Sequence, residues 1–292
     1  MCRRGYLYTR PVRIQAADER RSTQFRYPER PFAVHSHSVQ SVFGAPLPSE
    51  LTMVSSGNRL LNAFDSATRE RVDPFLEKIE VAIGDILCEA GGVLDHAYFP
   101  DGAVLSLQTV LRNGSAVETI NIGREGAFGL LSGLYMHESF NRALVQLPGV
   151  LLRLPFGILY QEFEHSGRLR SLVVKYSRAQ VVQIQQTVAC NALHTTRQRF
   201  CRWLLMMLDR IDGDSMPCTH ELLAEILGVN RKSVTLAAQK LHKEGLIDYH
   251  RGRIQVLDRP RLEKASCECY AVIRDRFEAY FNPLAADVYP KS

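Results

Sequence analysis

The rhythm of hydrophobic and polar positions changes several times along the chain. Over residues 60–77, Leu60, Leu61, Phe64, Val72, Phe75 and Leu76 recur at helical spacing and predict one or two short amphipathic helices. Over residues 79–154 the rhythm shortens. Runs rich in Val, Ile and Leu alternate with Gly84-Asp85, Gly91-Gly92, Pro100-Asp101-Gly102, Asn113-Gly114, Gly123 and Pro148-Gly149. Short strands punctuated in this way predict an antiparallel barrel or sandwich. VLSLQTVLRNGSAVETINIG is the clearest hairpin, and its Asn113-Gly114 pair predicts a type I′ turn.

After Pro155 the strands stop. FGILYQEFEHS predicts a short helix, and after Gly167 the chain runs to Ala192 with neither Gly nor Pro. Within that stretch Val174, Val181, Ile184 and Val188 form a heptad-like stripe, flanked by Leu169, Leu172, Tyr176 and Ala179. Lys175, Arg178, Gln180, Gln183, Gln185 and Gln186 are expected to face outward. One apolar stripe on one long helix calls for a partner helix, and self-association is the favoured reading over packing on its own domain. A further helix is predicted for TRQRFCRWLLMMLDRI.

The most specific pattern is PCTHELLAEILGVNRKSVTLAAQKLHKEGLIDYHRGRIQVLD. Thr219 is a suitable N-cap, with Glu221 in the first turn, and Leu222, Leu223, Ile226 and Leu227 supply an apolar face. Gly228 then provides a turn. Asn230 caps a second helix whose inner face is Val234, Ala237, Ala238 and Leu241. Two short helices joined through a glycine turn predict a helix-turn-helix. The exposed start of the second helix offers Asn230, Arg231, Lys232, Ser233 and Thr235, with Gln239 one turn on. These are side-chain types that reach base edges in a major groove. LIDYHRGRIQVL predicts a hairpin whose tip carries Arg251 and Arg253, suited to backbone phosphates. From Asn230 to Arg253 there are six Lys or Arg against two acids, so the positive charge is local and directional.

Composition narrows the classes. Hydrophobic residues at 46% and charged residues at 23% fit a soluble globular protein, and no apolar run reaches the ~20 residues of a membrane helix. A cytoplasmic protein without membrane partner is expected. Of the net charge of +5, residues 1–52 contribute eight arginines against four acids. That segment lacks sustained periodicity. It predicts either a disordered arm, including one for nucleic acid, or sequence ahead of a natural start at Met53. The seven cysteines are scattered and predict reduced, buried thiols. Cys267-Glu268-Cys269 is the one close pair; no second pair at C-x2-C spacing accompanies it, so no metal site is expected. No catalytic residues emerge: the chain has no G-x-S-x-G and no Walker loop.

A strand-rich region, a long helix and then THELLAEILGVNRKSVTLAAQKLHKEGLI resemble the Crp/Fnr superfamily of bacterial transcription regulators, over roughly residues 60–275. The resemblance implies an α+β protein. It would have an N-terminal antiparallel β-roll (jelly-roll-like) sensor domain of cyclic-nucleotide-binding type, a long dimerisation helix and a C-terminal winged helix-turn-helix. The expected organisation is an extension at 1–55, the β-roll at 56–165, the long helix at 166–194, the DNA-binding domain at 195–280 and a tail at 281–292. The implied partners are double-stranded DNA at a palindromic site, a second copy of the chain as homodimer, and RNA polymerase. Gly84, Leu87, Gly91, Tyr98, Phe99 and Gly102 look like the family's β-roll landmarks. DRPRLEKASCECY, after the wing, resembles a subgroup of unassigned effector.

The same resemblance directs attention to residues 123–144, GREGAFGLLSGLYMHESFNRAL. In nucleotide-binding members a Gly-Glu pair and a later Arg-Ser/Thr-Ala bind ribose and phosphate. Here Phe128-Gly129-Leu130 and Arg142-Ala143-Leu144 stand at those places, so the arginine is kept while the acid and the hydroxyl are lost. The adenine contact of those members falls near Ile184-Gln185. Gly129, Leu130, Arg142 and Ala143 therefore predict an effector pocket that takes no cyclic nucleotide, with Arg142 ion-paired to Glu125 or Glu138. The alternative is a true cyclic-nucleotide-responsive regulator using Arg142 for the phosphate. An iron–sulfur sensor would need an N-terminal cysteine cluster, and only Cys2 precedes Cys88. His96 and His137 are haem-ligand candidates by residue type alone.

Overall fold

The computed structural model describes residues 54–130 and 138–281. The expectations for the N-terminal extension, for His137 and for the tail after Phe281 lie outside the described residues. The chain opens with α1 (Arg59–Asn62), α2 (Ser66–Val72) and a 3-10 turn at Asp73–Phe75. Asn58 caps α1 by accepting from the Leu61 N–H, and Asp65 caps α2 through the Thr68 N–H.

Seven strands follow, paired antiparallel throughout. β1 (Glu77–Val81), β7 (Gly149–Pro155) and β3 (His96–Asp101) form one sheet in the order β1-β7-β3. β2 (Ile86–Cys88), β6 (Arg142–Leu147), β4 (Val104–Val110) and β5 (Ala116–Ile122) form the other in the order β2-β6-β4-β5. Both sheets share one apolar core that includes Phe99, Leu105, Val145 and Leu152. This is the antiparallel β-roll expected.

The β4–β5 hairpin differs from its sequence reading. Leu111 donates to the Ser115 carbonyl at 2.8 Å, leaving a three-residue loop of Arg112, Asn113 and Gly114. Gly114 alone turns left-handed, at φ 83°, while Asn113 keeps an ordinary φ. The Asn113 carboxamide accepts from the Ser115 N–H and hydroxyl, which stabilises this tighter arrangement in place of the type I′ turn.

α3 (Phe156–His165) leads into α4 (Gly167–Leu193), whose N-cap is Ser166. One side of α4 packs on the β-roll. Tyr176 Oη accepts from the Ala127 N–H and donates to the Ala127 carbonyl, both at 3.0 Å. Gly126 is required there, because a Cβ would lie 2.3 Å from that hydroxyl. Two side chains expected to face outward do not. Gln180 and Gln183 are buried, and Gln183 donates to the Asn121 carbonyl and side-chain oxygen at 3.3 and 3.0 Å. β5 explains why. α4 packs on that strand, and Asn121 is buried beneath the helix with oxygens that demand polar partners.

α5 (Thr196–Leu208) starts with a capping box between Thr195 and Gln198. After it come β8 (Ser215–Pro217), α6 (His220–Leu227), α7 (Arg231–Lys243), β9 (Ile247–His250), β10 (Arg253–Val256), α8 (Arg259–Ala265) and α9 (Cys269–Phe281). The sequence pattern predicts two strands for the wing. The structure adds β8 as a third, in the order β8-β10-β9. The fold is α+β: β-roll, long helix, winged helix-turn-helix. No helix among the described residues is long and apolar enough to cross a membrane.

Candidate nucleic-acid interface

Local chemistry builds the helix-turn-helix almost unaided. The Thr219 hydroxyl accepts from the Leu222 N–H at 3.2 Å, Gly228 ends α6 in the left-handed region, and Asn230 begins α7. Leu223, Ile226, Leu227, Val234, Ala237, Ala238 and Leu241 are buried between the two helices and the core, as their spacing predicts.

The proposed contact residues separate into two groups. Asn230 accepts from both the Ser233 N–H, at 2.9 Å, and the Ser233 hydroxyl, at 3.0 Å, so these two side chains form the helix cap. Thr235 Oγ1 donates to the Arg231 carbonyl and lies 3.0 Å from His220 Nδ1. Arg231, Lys232 and Gln239 instead stand exposed on the outer face of α7. Arg231 forms a solvent-facing ion pair with Glu221 at 2.8 Å. Leu236, 57% exposed among these polar groups, shares this face and has no place in the sequence reading. An apolar side chain on a groove-facing helix suits a thymine methyl. The available signal is an apolar residue off the buried stripe.

At the wing tip, His250 pairs with Arg253 across a two-residue turn of Arg251 and Gly252. Both central residues have positive φ, 48° and 73°, so the type I′ turn occurs here. Arg251 is the one non-glycine residue in the left-handed region among the described residues. Holding a bulky side chain there costs about 1 kcal/mol or more, and the return is a cation at the apex of the wing.

His220 supports α7 from below. Its ring stacks on Tyr249 at 4.5 Å. Burial pushes its pKa below the usual 6.5, with Glu221 opposing and Arg231 adding to the shift. A histidine depressed in the folded state contributes stability that is complete above the unfolded pKa and lost as pH falls through it. The urea midpoint is therefore expected to fall more steeply between about pH 7.5 and about pH 5.5 in the wild type than in His220→Phe, which can keep the stack. Equal slopes would remove His220 as the source.

In the front domain, Arg142 and Glu125 of the 123–144 segment are engaged in ion pairs. Arg142 pairs with Glu89 at 2.8 Å, neither with Glu125 nor with Glu138, because β2 lies beside β6 and brings Glu89 to it. Glu125 is buried instead against Arg210, accepting from its Nε at 2.9 Å and its Nη2 at 2.7 Å. Leu130 and Ala143 are buried, and Gly129 sits against the ring of Phe156. Leu130 does line a groove of about 380 Å³, together with Phe163, Val173, Val174, Ser177, Arg178, Val181 and Val182. Gly129, Arg142 and Ala143 do not. His96 is half-buried at the start of β3, its pKa lowered by burial and then by Arg153.

Behind the β-roll, Glu118 accepts from the Ser106 hydroxyl at 2.7 Å and from Gln146 at 2.9 Å. Burial raises its carboxyl above the usual range, and these donors oppose the rise. Gln108 Nε2 donates to Glu225 on α6 at 3.3 Å, and Val117 lies under Gly228. The β-roll therefore touches the helix-turn-helix directly.

All six described cysteines are buried and unbridged. Cys267 and Cys269 meet Cys190 and His194 from the end of α4, with all four ligand atoms within 4.8 Å of one another.

A capped basic helix, a glycine turn and a charged wing on a β-roll define a winged helix-turn-helix DNA-binding regulator. Residues 198–265 match the Crp-like helix-turn-helix domain family. The chain is 22% identical over 214 residues to the global nitrogen regulator of Nostoc sp. (strain PCC 7120), covering 70% of this chain and 95% of that protein. Its fold is shared with FixK2 from Bradyrhizobium japonicum, at TM-score 0.58 and 14% identity over 66% of this chain and 98% of that one. A Crp/Fnr-family regulator from Thermus thermophilus gives TM-score 0.53 and 22% identity, over 65% of this chain and 98% of that one. Its DNA-reading segment is a Crp-like helix-turn-helix domain, and the chain is a transcriptional regulator of Crp/Fnr type. Regulators of this type bind DNA and typically act as dimers.

Proposed function

We propose that two copies of this chain pair along α4 and read an inverted-repeat operator, each placing Arg231, Lys232, Leu236 and Gln239 of α7 in a major groove. Arg251 and Arg253 of each wing rest on backbone phosphates, and Asn230 and Ser233 cap the reading helix. The observation that carries this reading is the exposed basic face of α7, which nothing else in the described chain covers. A regulator bound this way would meet RNA polymerase on the same duplex in the cytoplasm.

The dimer reading rests on α4. Val174, Val181 and Val188 recur every seven residues and are 55%, 47% and 65% exposed, an apolar seam unusual on a solvated helix. Ile184, expected in the same stripe, is instead half-buried on the chain's own core. Self-association would therefore run through the three valines. Val174→Glu combined with Val181→Glu is expected to yield a monomer in sedimentation, with operator affinity lower by roughly 100-fold or more, since a dimer gains that much from bivalency. A double variant that stays dimeric would place the interface elsewhere.

The β-roll, on this reading, takes no cyclic nucleotide through Arg142, whose guanidinium already holds Glu89. The nucleotide-responsive alternative would have to break that pair and find a ribose acceptor where Leu130 is buried.

A further inference from the structure

Three thiols and one imidazole meet at the joint between the long helix and the C-terminal helices. Cys190 and His194 stand one turn apart at the end of α4, on the same face. Cys267 and Cys269 flank the start of α9. Cys190, Cys267 and Cys269 form a buried cluster of their own, separate from the main apolar core. Cys190 Sγ lies 3.5 Å from Cys267 Sγ, and Cys269 Sγ lies 3.4 Å from His194 Nδ1.

These spacings fit one ion. With metal–sulfur bonds of ~2.3 Å and metal–nitrogen bonds of ~2.0–2.1 Å, the corners of a tetrahedron stand roughly 3.5–3.8 Å apart. All four ligand atoms lie within 4.8 Å of one another, a cage for a single ion and too tight for an iron–sulfur cluster between the thiolates. Three sulfurs favour a soft, thiophilic cation over calcium or magnesium.

The surroundings complete the arrangement. His194 turns Nδ1 to the thiols while Nε2 lies 3.3 Å from Glu268 Oε2, the carboxylate–histidine pairing that orients a metal-binding imidazole. Gln186 Nε2 donates to Cys269 Sγ at 3.1 Å. Thiols that merely filled space would not need a histidine with both nitrogens so engaged.

We propose that Cys190, His194, Cys267 and Cys269 bind one zinc-type divalent cation in a tetrahedral Cys3His site. The site is structural, since four protein ligands leave no open position for substrate. It ties the end of α4 to the α8–α9 joint, and so fixes the DNA-reading module to the helix proposed to pair the two copies.

The full-length protein, purified under reductant without chelator, is expected to carry about one zinc per chain by elemental mass spectrometry. Cobalt(II) exchanged into it should show intense thiolate-to-metal charge transfer and the ligand-field bands of a tetrahedral ion. Cys267→Ser with Cys269→Ser should abolish both signals. Cys201→Ser, a buried cysteine outside the cluster, should keep both. Glu268→Gln, on an exposed side chain that tests the site without risk to the core, should weaken zinc by roughly 10- to 100-fold in competition with a chromophoric chelator. Circular dichroism of each variant identifies loss of fold. Three results would overturn the proposal: protein without zinc that takes up no cobalt, metal retained by the double cysteine variant, or a Cys190–Cys267 disulfide in its place.

Discussion

Arg231→Ala is expected to weaken binding to the operator duplex by about 1–3 kcal/mol per half-site while leaving binding to a scrambled duplex nearly unchanged. Arg231 is the first residue of α7 and extends from its exposed N-terminal end. Its pairing with Glu221 is solvent-exposed on both sides, and such pairs contribute at most about 1 kcal/mol. Releasing the guanidinium to a guanine edge therefore costs little. Arg251→Gly is the informative contrast. It relieves the left-handed strain at φ 48° and removes a charge, so folding should not suffer. Affinity should drop for both duplexes alike, with the salt slope shallower by about one. Fluorescence anisotropy over a salt series separates the two behaviours. Equal losses on both duplexes for Arg231→Ala would assign that residue to the phosphates.

Glu125→Ala is expected to destabilise the fold by about 3–5 kcal/mol in urea unfolding. Glu125 accepts from two nitrogens of Arg210 and from the Gly123 N–H, and both charged side chains are buried. Removing the carboxylate strands a guanidinium out of water. Arg210 does keep a bond to the Met206 carbonyl, but a neutral acceptor does not balance its charge. Glu125→Ala combined with Arg210→Met should recover much of the loss, because the penalty lies in the unpaired charge more than in the missing bond. A single-variant loss below about 1 kcal/mol would show that water reaches the pair.

What was legible in the sequence was what is decided locally. The caps at Thr219 and Asn230, the turn at Gly228 and the buried faces of α6 and α7 are set by residues a few positions apart. The uninterrupted α4 was legible for the same reason. Pairings set by distant packing were not. Arg142 meets Glu89, 53 residues away, because of a strand order that no local pattern encodes. Gln180 and Gln183 read as solvent-facing, yet the polar face of the second sheet draws them inward. β8 was missed because three residues carry too little periodicity. Cys267 and Cys269 looked solitary because Cys190, 77 residues from Cys267, reaches them only once α9 lies along α4.

Packing also constrains how a signal could travel through the molecule. A single apolar core runs without a break from Leu60, ahead of the β-roll, to Phe277 in the last helix, and Val117 of the β4–β5 hairpin bears on the glycine turn of the helix-turn-helix. Contact of this kind leaves no flexible tether between the hairpin and the reading helix among the described residues. The orientation of the reading helix is then set by the packing of the whole described chain and not by its own module alone.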